Sequence, residues 1–436
     1  MKIKGELTIN LENTTMKKII ASLAVCLLFV LNAVHAQDMP SIRKFGVKPE
    51  NSAAVNKANL QKAIDWASET GTALFIEPTG EPYHIDGGII LKRNVSLVGV
   101  NGPTPRGTVS PTKKQPVGSV FEITDRVHPF ITVESSTQIK GIQFWYPEQT
   151  INNPDSIIPY PATIQASQTS MTQGVYLSCL TFYGEYLAMD FNTSRKLPCE
   201  LMTFEHCYGY PLSGQFIRID YCYDIPRILH CHINPAVQRF IRGGFSKSVV
   251  DAVIAKNTFA YTINHTDNAQ LMDVFTFGTY GGILLGDETY GQLTNFNFDC
   301  VSVGIYKKGA NTKNRNWQIA QGSIIANTGD NVKDVHPIII EGQGHTTLTN
   351  VEAFSGGNGA LTTVPENKSW DFMLVRGDQK LTISLFGSRM RDYVSDQPFT
   401  IENKKAVIQA VACIDKNEDL YNLTIDPDKN KTTSSQ

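Results

Sequence analysis

Phe216-Ile217-Arg218, preceded by Gln215, returns two dozen positions later as Phe240-Ile241-Arg242, preceded by Gln238-Arg239, and Cys207 and Cys231 repeat at the same offset. Ile228-Leu229-His230-Cys231-His232-Ile233-Asn234 aligns likewise with Ala252 to Asn257, and Cys179 precedes Cys207 by slightly more. Gly282-Ile283-Leu284-Leu285 and Leu293 to Phe298 continue the theme. Short alternating strands every two to three dozen positions, with no helix between them, predict a solenoid. For strand-rich units the solenoid is an all-β parallel β-helix, its coils stacked at about 4.8 Å.

The chain has 436 residues, 41% of them hydrophobic and 18% charged, with a formal net charge of -2. A solenoid core grows along one axis, so this length fits one domain. Near-neutral charge without a basic tract excludes nucleic acid as an expected partner. Met16-Lys17-Lys18, the apolar run Ile19 to Val34, and Val34-His35-Ala36 before Gln37 have the n-region, h-region and cleavage site of a secretory signal peptide. The run is short and ends in Asn32 and His35, so no membrane span is expected. Val25 before Cys26 argues against a lipoprotein. The expected organisation is an upstream extension and signal peptide (1–36), a β-helix (37–415) and a frayed polar tail (416–436), exported to the periplasm or the extracellular space. Seven cysteines remain beyond Cys26, with no C-x-x-C pair, which favours a stacked interior ladder over disulfides or zinc.

Leu60, Ala63, Ile64 and Ala67 recur at helical spacing, Gly71 ends the helix and Ala73 to Ile76 follows as the first strand. Phe45-Gly46-Val47, this helix, Phe75-Ile76-Glu77-Pro78-Thr79-Gly80, Tyr83-His84-Ile85 and Val95-Ser96-Leu97-Val98-Gly99 together resemble the N-terminal cap of the pectate-lyase superfamily. That group holds pectin-lyase-like right-handed parallel β-helices, with polygalacturonase-like hydrolases and phage tailspikes as relatives. The acidic pair usual between the Phe-Gly element and the helix is absent here. The resemblance implies a right-handed parallel β-helix with an N-terminal amphipathic capping helix and a polysaccharide substrate, and it does not fix a reaction.

If Ile217 and Ile219 face inward, Arg218 and Asp220 face out, and the repeat alignment places Arg242 one coil above Arg218. Cys231 inward leaves His230 and His232 outward, with His232 beside Lys256. Arg239 and Lys247 join this strip, and a lengthened coil between Thr258 and Tyr280 predicts an inserted loop carrying Tyr261, His265 and Asp267. A basic cleft suits an acidic polysaccharide, because guanidinium groups bind uronate carboxylates. The reading is β-elimination on a uronate glycan, a glycosaminoglycan such as chondroitin or hyaluronan or a pectic chain. Arg218 and Arg242 neutralise the carboxylate, His232 or His265 is the base and Tyr261 the acid. His230, Arg239, Lys247 and Lys256 bind substrate. The alternatives are a polygalacturonase-like hydrolase using carboxylates among Asp220, Asp224, Asp251, Asp267, Asp287 and Glu288, and a non-catalytic binding or adhesin solenoid. The motifs of the polygalacturonases and of the pectate lyases proper are both missing. Calcium (Ca2+) is the one cofactor left open, with Asp220, Asp224 and Asp251 as partial donors and no Asp-rich loop. The aromatics Trp145, Tyr146 and Tyr160 lie in a Pro- and Asn-rich excursion, where loop packing competes with sugar stacking.

Overall fold

The structure, a computed structural model, describes residues 39–102, 109–310, 316–326, 332–355, 368–429 and 431–435. The expected upstream extension and signal peptide (1–36) lie outside the described residues. Among the described residues no helix is long and apolar enough to cross a membrane.

Residues 41–436 form a right-handed parallel β-helix built from a 21-stranded and a 13-stranded sheet. Each inward position repeats on the next coil, so apolar side chains stack into ladders. In the larger sheet one ladder runs from Leu74 through Leu97, Ile139, Leu177, Phe204 and Ile228 to Leu385. In the smaller sheet Ile89, Ile131, Ile164, Met189, Ile217, Tyr261, Ile283 and Ile305 align in register. All are buried; leucine dominates the ladder of the larger sheet, and β-branched isoleucine, which packs well on a pleated surface, that of the smaller.

Both ends of the stack are covered. Helix α1 (Ala53–Thr70) starts at Ser52, whose side chain accepts from the Val55 amide, and stops at Gly71 in the left-handed region (φ 65°). It buries Asn56, Leu60, Ala63, Ile64 and Ala67, the expected face. The tail is a correction: Leu420–Asp426 pairs antiparallel with Val407–Ile414, and Lys431–Ser435 pairs antiparallel with Leu420–Asp426. The reversal closes the C-terminal edge against further pairing.

The two-dozen repeat holds for one coil step and fails at the next in both sheets; in the larger, Ile228 pairs with Leu271 and His232 with Phe275. Phe204 pairs with Ile228 and Tyr208 with His232, each at the expected offset. Arg218, however, pairs with Thr262, almost twice as far along the chain, because 235–254 leaves the coil as helices. Asn234 caps a 3-10 turn at Pro235–Gln238, α2 (Arg239–Arg242) follows, and Gly243 and Gly244 turn the chain at φ 86° and 98°. Ser246 then caps α3 (Lys247–Ile254), which buries Val249, Val250 and Val253. The insertion is therefore here, and Phe259–Thr266, expected as a loop, is a strand of the smaller sheet.

The cysteine ladder is also real but paired differently. Cys199 stands beside Cys222 in register, and Cys207 and Cys231 occupy equivalent buried positions. All seven described cysteines are free thiols. Cys179 is displaced by one residue, since Leu180 is the partner of Cys207. Cys179 sits instead in a column of left-handed turns that also holds His206, His230, Asp273, Asn295, Gln321 and Asn350, with φ between 51° and 55°. Asn, Asp and His tolerate this conformation better than most residues, and Cys179 and Gln321 are the costlier occupants.

Candidate functional site

The outer face of the smaller sheet carries a groove made of two adjoining hollows. One, of about 450 Å³, is lined by Asn192, Arg218, Asp220, Asn264, Asp287, Lys308 and Glu341 among others. The second, of about 880 Å³, is lined by Phe259, Tyr280, Tyr306, His336 and Arg376, and the two share Gln215, Thr262, Leu284 and Lys308. Such volumes fit a few sugar rings.

Register explains the polar line. Asn192 pairs with Asp220, and Asp220 with Asn264 on the next coil. Asp220 accepts from Asn264 Nδ2 at 3.0 Å and from His265 Nδ1 at 2.8 Å, and the His265 ring stacks on Tyr221 at 4.3 Å. The Asn264 side-chain oxygen accepts the Asp287 amide at 2.7 Å, and Asp287 Oδ1 accepts the Ala310 amide at 2.8 Å. The chain of donors thus links carboxylates on two levels of the stack. Arg218 forms a two-pronged pair with Asp190 one coil below. Tyr306 and Arg376 both donate to Glu341, and Arg376 donates to the Tyr306 hydroxyl at 2.7 Å. Burial opposes ionisation of Glu341, but these bonds outweigh it and hold the carboxyl below its usual value. Among the described residues Lys308 is in no ion pair, and Glu341 feels its charge.

Glycine makes the floor. A methyl group built on Gly309 would lie 1.9 Å from the Gly286 backbone, and one on Gly342 would lie 1.8 Å from the Gly309 carbonyl. The coils approach closely there and leave room above them. Gly309→Ala is expected to destabilise the protein by about 3 kcal/mol through overpacking, read as a lower urea midpoint. Beside the floor, Phe259, Val303, Ile339 and Leu374 form a small apolar cluster flanked by Tyr280, Leu284 and Tyr306. Partly exposed tyrosines on such a base are suited to stacking on sugar faces.

The expected basic strip does not assemble. Arg218 lines this groove and His265 touches it only through its bond to Asp220, while His230 and His232 lie on strands and turns of the larger sheet, where His232 stacks on Phe275 at 4.3 Å rather than beside Lys256. Arg242 is half-buried and donates to the carbonyls of Gln149 and Pro147, tying α2 to the 147–160 excursion. Arg239 leans over Phe240, Lys247 pairs with Asp251 within α3 and Lys256 sits over Tyr186. Tyr261 is an interior residue whose hydroxyl reaches the carbonyls of Phe275 (3.3 Å) and Cys231 (3.4 Å), and burial pushes its phenol far above the usual range. It has no route to substrate. Asp251, tied to Lys247, does not join Asp220 in a calcium cluster. Tyr146 and Tyr160 pack on each other at 4.7 Å, buried, so loop packing prevails over sugar stacking there.

Asp190, Lys308, Tyr306, Glu341 and Arg376 were missed by the sequence reading. They come from separate coils joined by register steps such as Leu285 to Lys307 and Ile340 to Val375, and no local motif marks them.

No protein-family model and no curated protein matches the chain. Its backbone is similar to that of a double mutant of the tailspike protein of E. coli bacteriophage HK620, with TM-score 0.51, 10% identity, and coverage of 86% of this chain and 66% of that one. It is also similar to an N-terminal fragment of bacteriophage phi29 gene product 12, with TM-score 0.50, 13% identity, and coverage of 90% and 69%. The pre-mature form of gene product 12 gives TM-score 0.49 at 10% identity over 90% of this chain, which spans 54% of that protein's length. At this identity the likeness is one of fold.

Proposed function

We propose that the chain is a carbohydrate-active enzyme that works outside the cytoplasm and hydrolyses a glycan laid along this groove. The observation that carries the reading is the charge inventory: Asp220, Asp287 and Glu341 line one hollow, while the guanidinium groups of the groove, Arg218 there and Arg376 in the adjoining hollow, are already bound to protein carboxylates. Elimination needs cations to neutralise a uronate, and among the described residues of the hollow Lys308 alone is available for that. Hydrolysis needs two carboxylates, one to activate water and one to protonate the leaving oxygen. Asp220, held by two donors, is assigned as the base, and Asp287, exposed and held by one, as the acid. Asn264 separates them by one coil, so their backbones are about two rises, roughly 9–10 Å, apart. Tyr280 and Tyr306 would supply stacking surfaces.

The second reading is β-elimination, favoured by Lys308 and by His265 on Asp220. A panel of neutral and uronate glycans separates the two. New reducing ends without the ultraviolet absorbance of an unsaturated uronate are the expected result. Absorbance would move the assignment to a lyase, and binding without either product would leave a glycan-binding solenoid.

A further inference from the structure

We propose that the larger sheet carries a site for one divalent transition-metal ion, made by Glu205, His206 and His230. The donor atoms of these three side chains lie within 4.8 Å of one another. Their placement follows from the fold. His206 and His230 occupy equivalent left-handed turns on consecutive coils (φ 51° and 53°), so their rings stack at 4.8 Å and 14°, about one coil rise. Glu205 precedes His206, and its Oε1 lies 3.8 Å from His206 Nε2. Each ligand is only about one-third exposed or less, so the site is a shallow recess rather than a mobile surface cluster.

The groups around the three ligands are those a metal centre requires. His230 Nδ1 bonds Asp273 Oδ2 at 2.8 Å, which leaves Nε2 as the nitrogen with a free lone pair. Asp273 occupies the same turn one coil further on, at φ 52°. Tyr176 donates to Glu205 Oε2, which leaves Oε1 for the metal, and the Tyr208 hydroxyl lies 3.4 Å from His206 Nδ1. Carboxylate and hydroxyl partners of this kind fix imidazole orientation and raise ligand basicity. Two imidazoles and one carboxylate suit zinc and neighbouring first-row ions and leave a fourth position open. Tetrahedral zinc wants donors about 3.3 Å apart. Small side-chain rotations must therefore close the gap from the present spacing when the ion binds. Bound metal would clamp successive coils together at one point of the stack.

The test uses the tag-free protein, stripped with EDTA and titrated with Zn2+ by calorimetry and with Co2+ by visible absorbance. One equivalent should bind, with a rise in Tm that EDTA reverses. His206→Ala and His230→Ala should each weaken binding more than tenfold, while His128→Ala, at a distant exposed Asp125 pair, should not. Asp273→Asn, at an exposed residue that does not threaten folding, should weaken it about 10- to 100-fold. Absence of saturable binding overturns the proposal. So does binding that survives both histidine replacements and is lost on Cys179→Ser, which would assign the metal to a thiol.

Discussion

Asp220→Asn is expected to lower kcat on the cleaved glycan about a thousandfold, within the range general acid–base groups contribute, with KM changed little. The substituted amide is nearly isosteric but keeps one oxygen, so it can accept from Asn264 Nδ2 or from His265 Nδ1, which bond different oxygens of Asp220, and not from both. What it loses is the charge and the capacity to take a proton from water. Losing one of the two hydrogen bonds and the charge-assisted part of the other should reduce stability by about 2–3 kcal/mol, a fall that a urea titration resolves from the catalytic loss. Asp287→Asn should act on kcat in the same way with almost no effect on stability, because Asp287 is exposed and bonded by a single backbone amide. Here the two carboxylates differ in a second readout. Substrates with a good leaving group need no acid, so they should recover most of the activity lost in Asp287→Asn and none of that lost in Asp220→Asn. Full activity in either variant removes that residue from the mechanism, and recovery in both would mean that Asp220 is not the base.

The groove was only partly legible in the sequence, for a physical reason. Helix α1, the strand phrases and the parallel solenoid were readable because burial writes a local period: Leu60, Ala63, Ile64 and Ala67 on one helix face, Ile217 and Ile219 on one strand face. The facing of Arg218 and Asp220 followed from the same alternation. The vertical neighbours did not, because coil length in this chain is uneven. One coil advances only from Phe259 to Gly281, while another advances from Ile217 to Tyr261, twice as far along the chain. Phe-Ile-Arg at 216–218 and 240–242 looked like a repeat, yet the second copy follows Asn234-Pro235 and precedes Gly243-Gly244, a cap and a stop. Reading those two signals would have shown a helical insertion and kept Tyr261 in the core ladder between Ile217 and Ile283. Lys308, Glu341 and Arg376 had no such signal, since their partnership exists only after the register is set.

Glu185→Gln is expected to remove most of the loss of stability that the wild-type protein shows between pH 5 and 8. Glu185 is fully buried at the corner between the strands Tyr176–Tyr183 and Leu187–Asn192, and neither carboxyl oxygen has a hydrogen-bond partner of normal geometry. Burial raises its pKa from 4.5 to about 8, and the nearby amides of Glu185, Tyr210 and Gly184 counter this only in part. A carboxyl whose folded value is raised contributes stability that is whole below its unfolded value of 4.5 and is lost as the pH rises toward about 8. The span corresponds to about 5 kcal/mol at most, at 1.36 kcal/mol per unit. Glutamine cannot ionise, so its urea midpoint should stay flat over that window, lie near or slightly below the wild type at pH 5, and exceed it at pH 8 and above. Other shifted groups must not be mistaken for it: burial also raises the carboxyls of Glu122 and Asp299, whose effect has the same sign as that of Glu185. Burial lowers Lys307 to about 8, so its effect is lost stability as the pH falls from 10.5, which lies above the window. Burial also lowers His345 below 6.5, which makes stability rise with pH and so has the opposite sign. All four are present in wild type and variant alike and cancel in the difference between the two curves. A difference that is constant from pH 5 to 8 would mean that Glu185 is not the group responsible, and that water or a rearranged amide satisfies it in the folded chain.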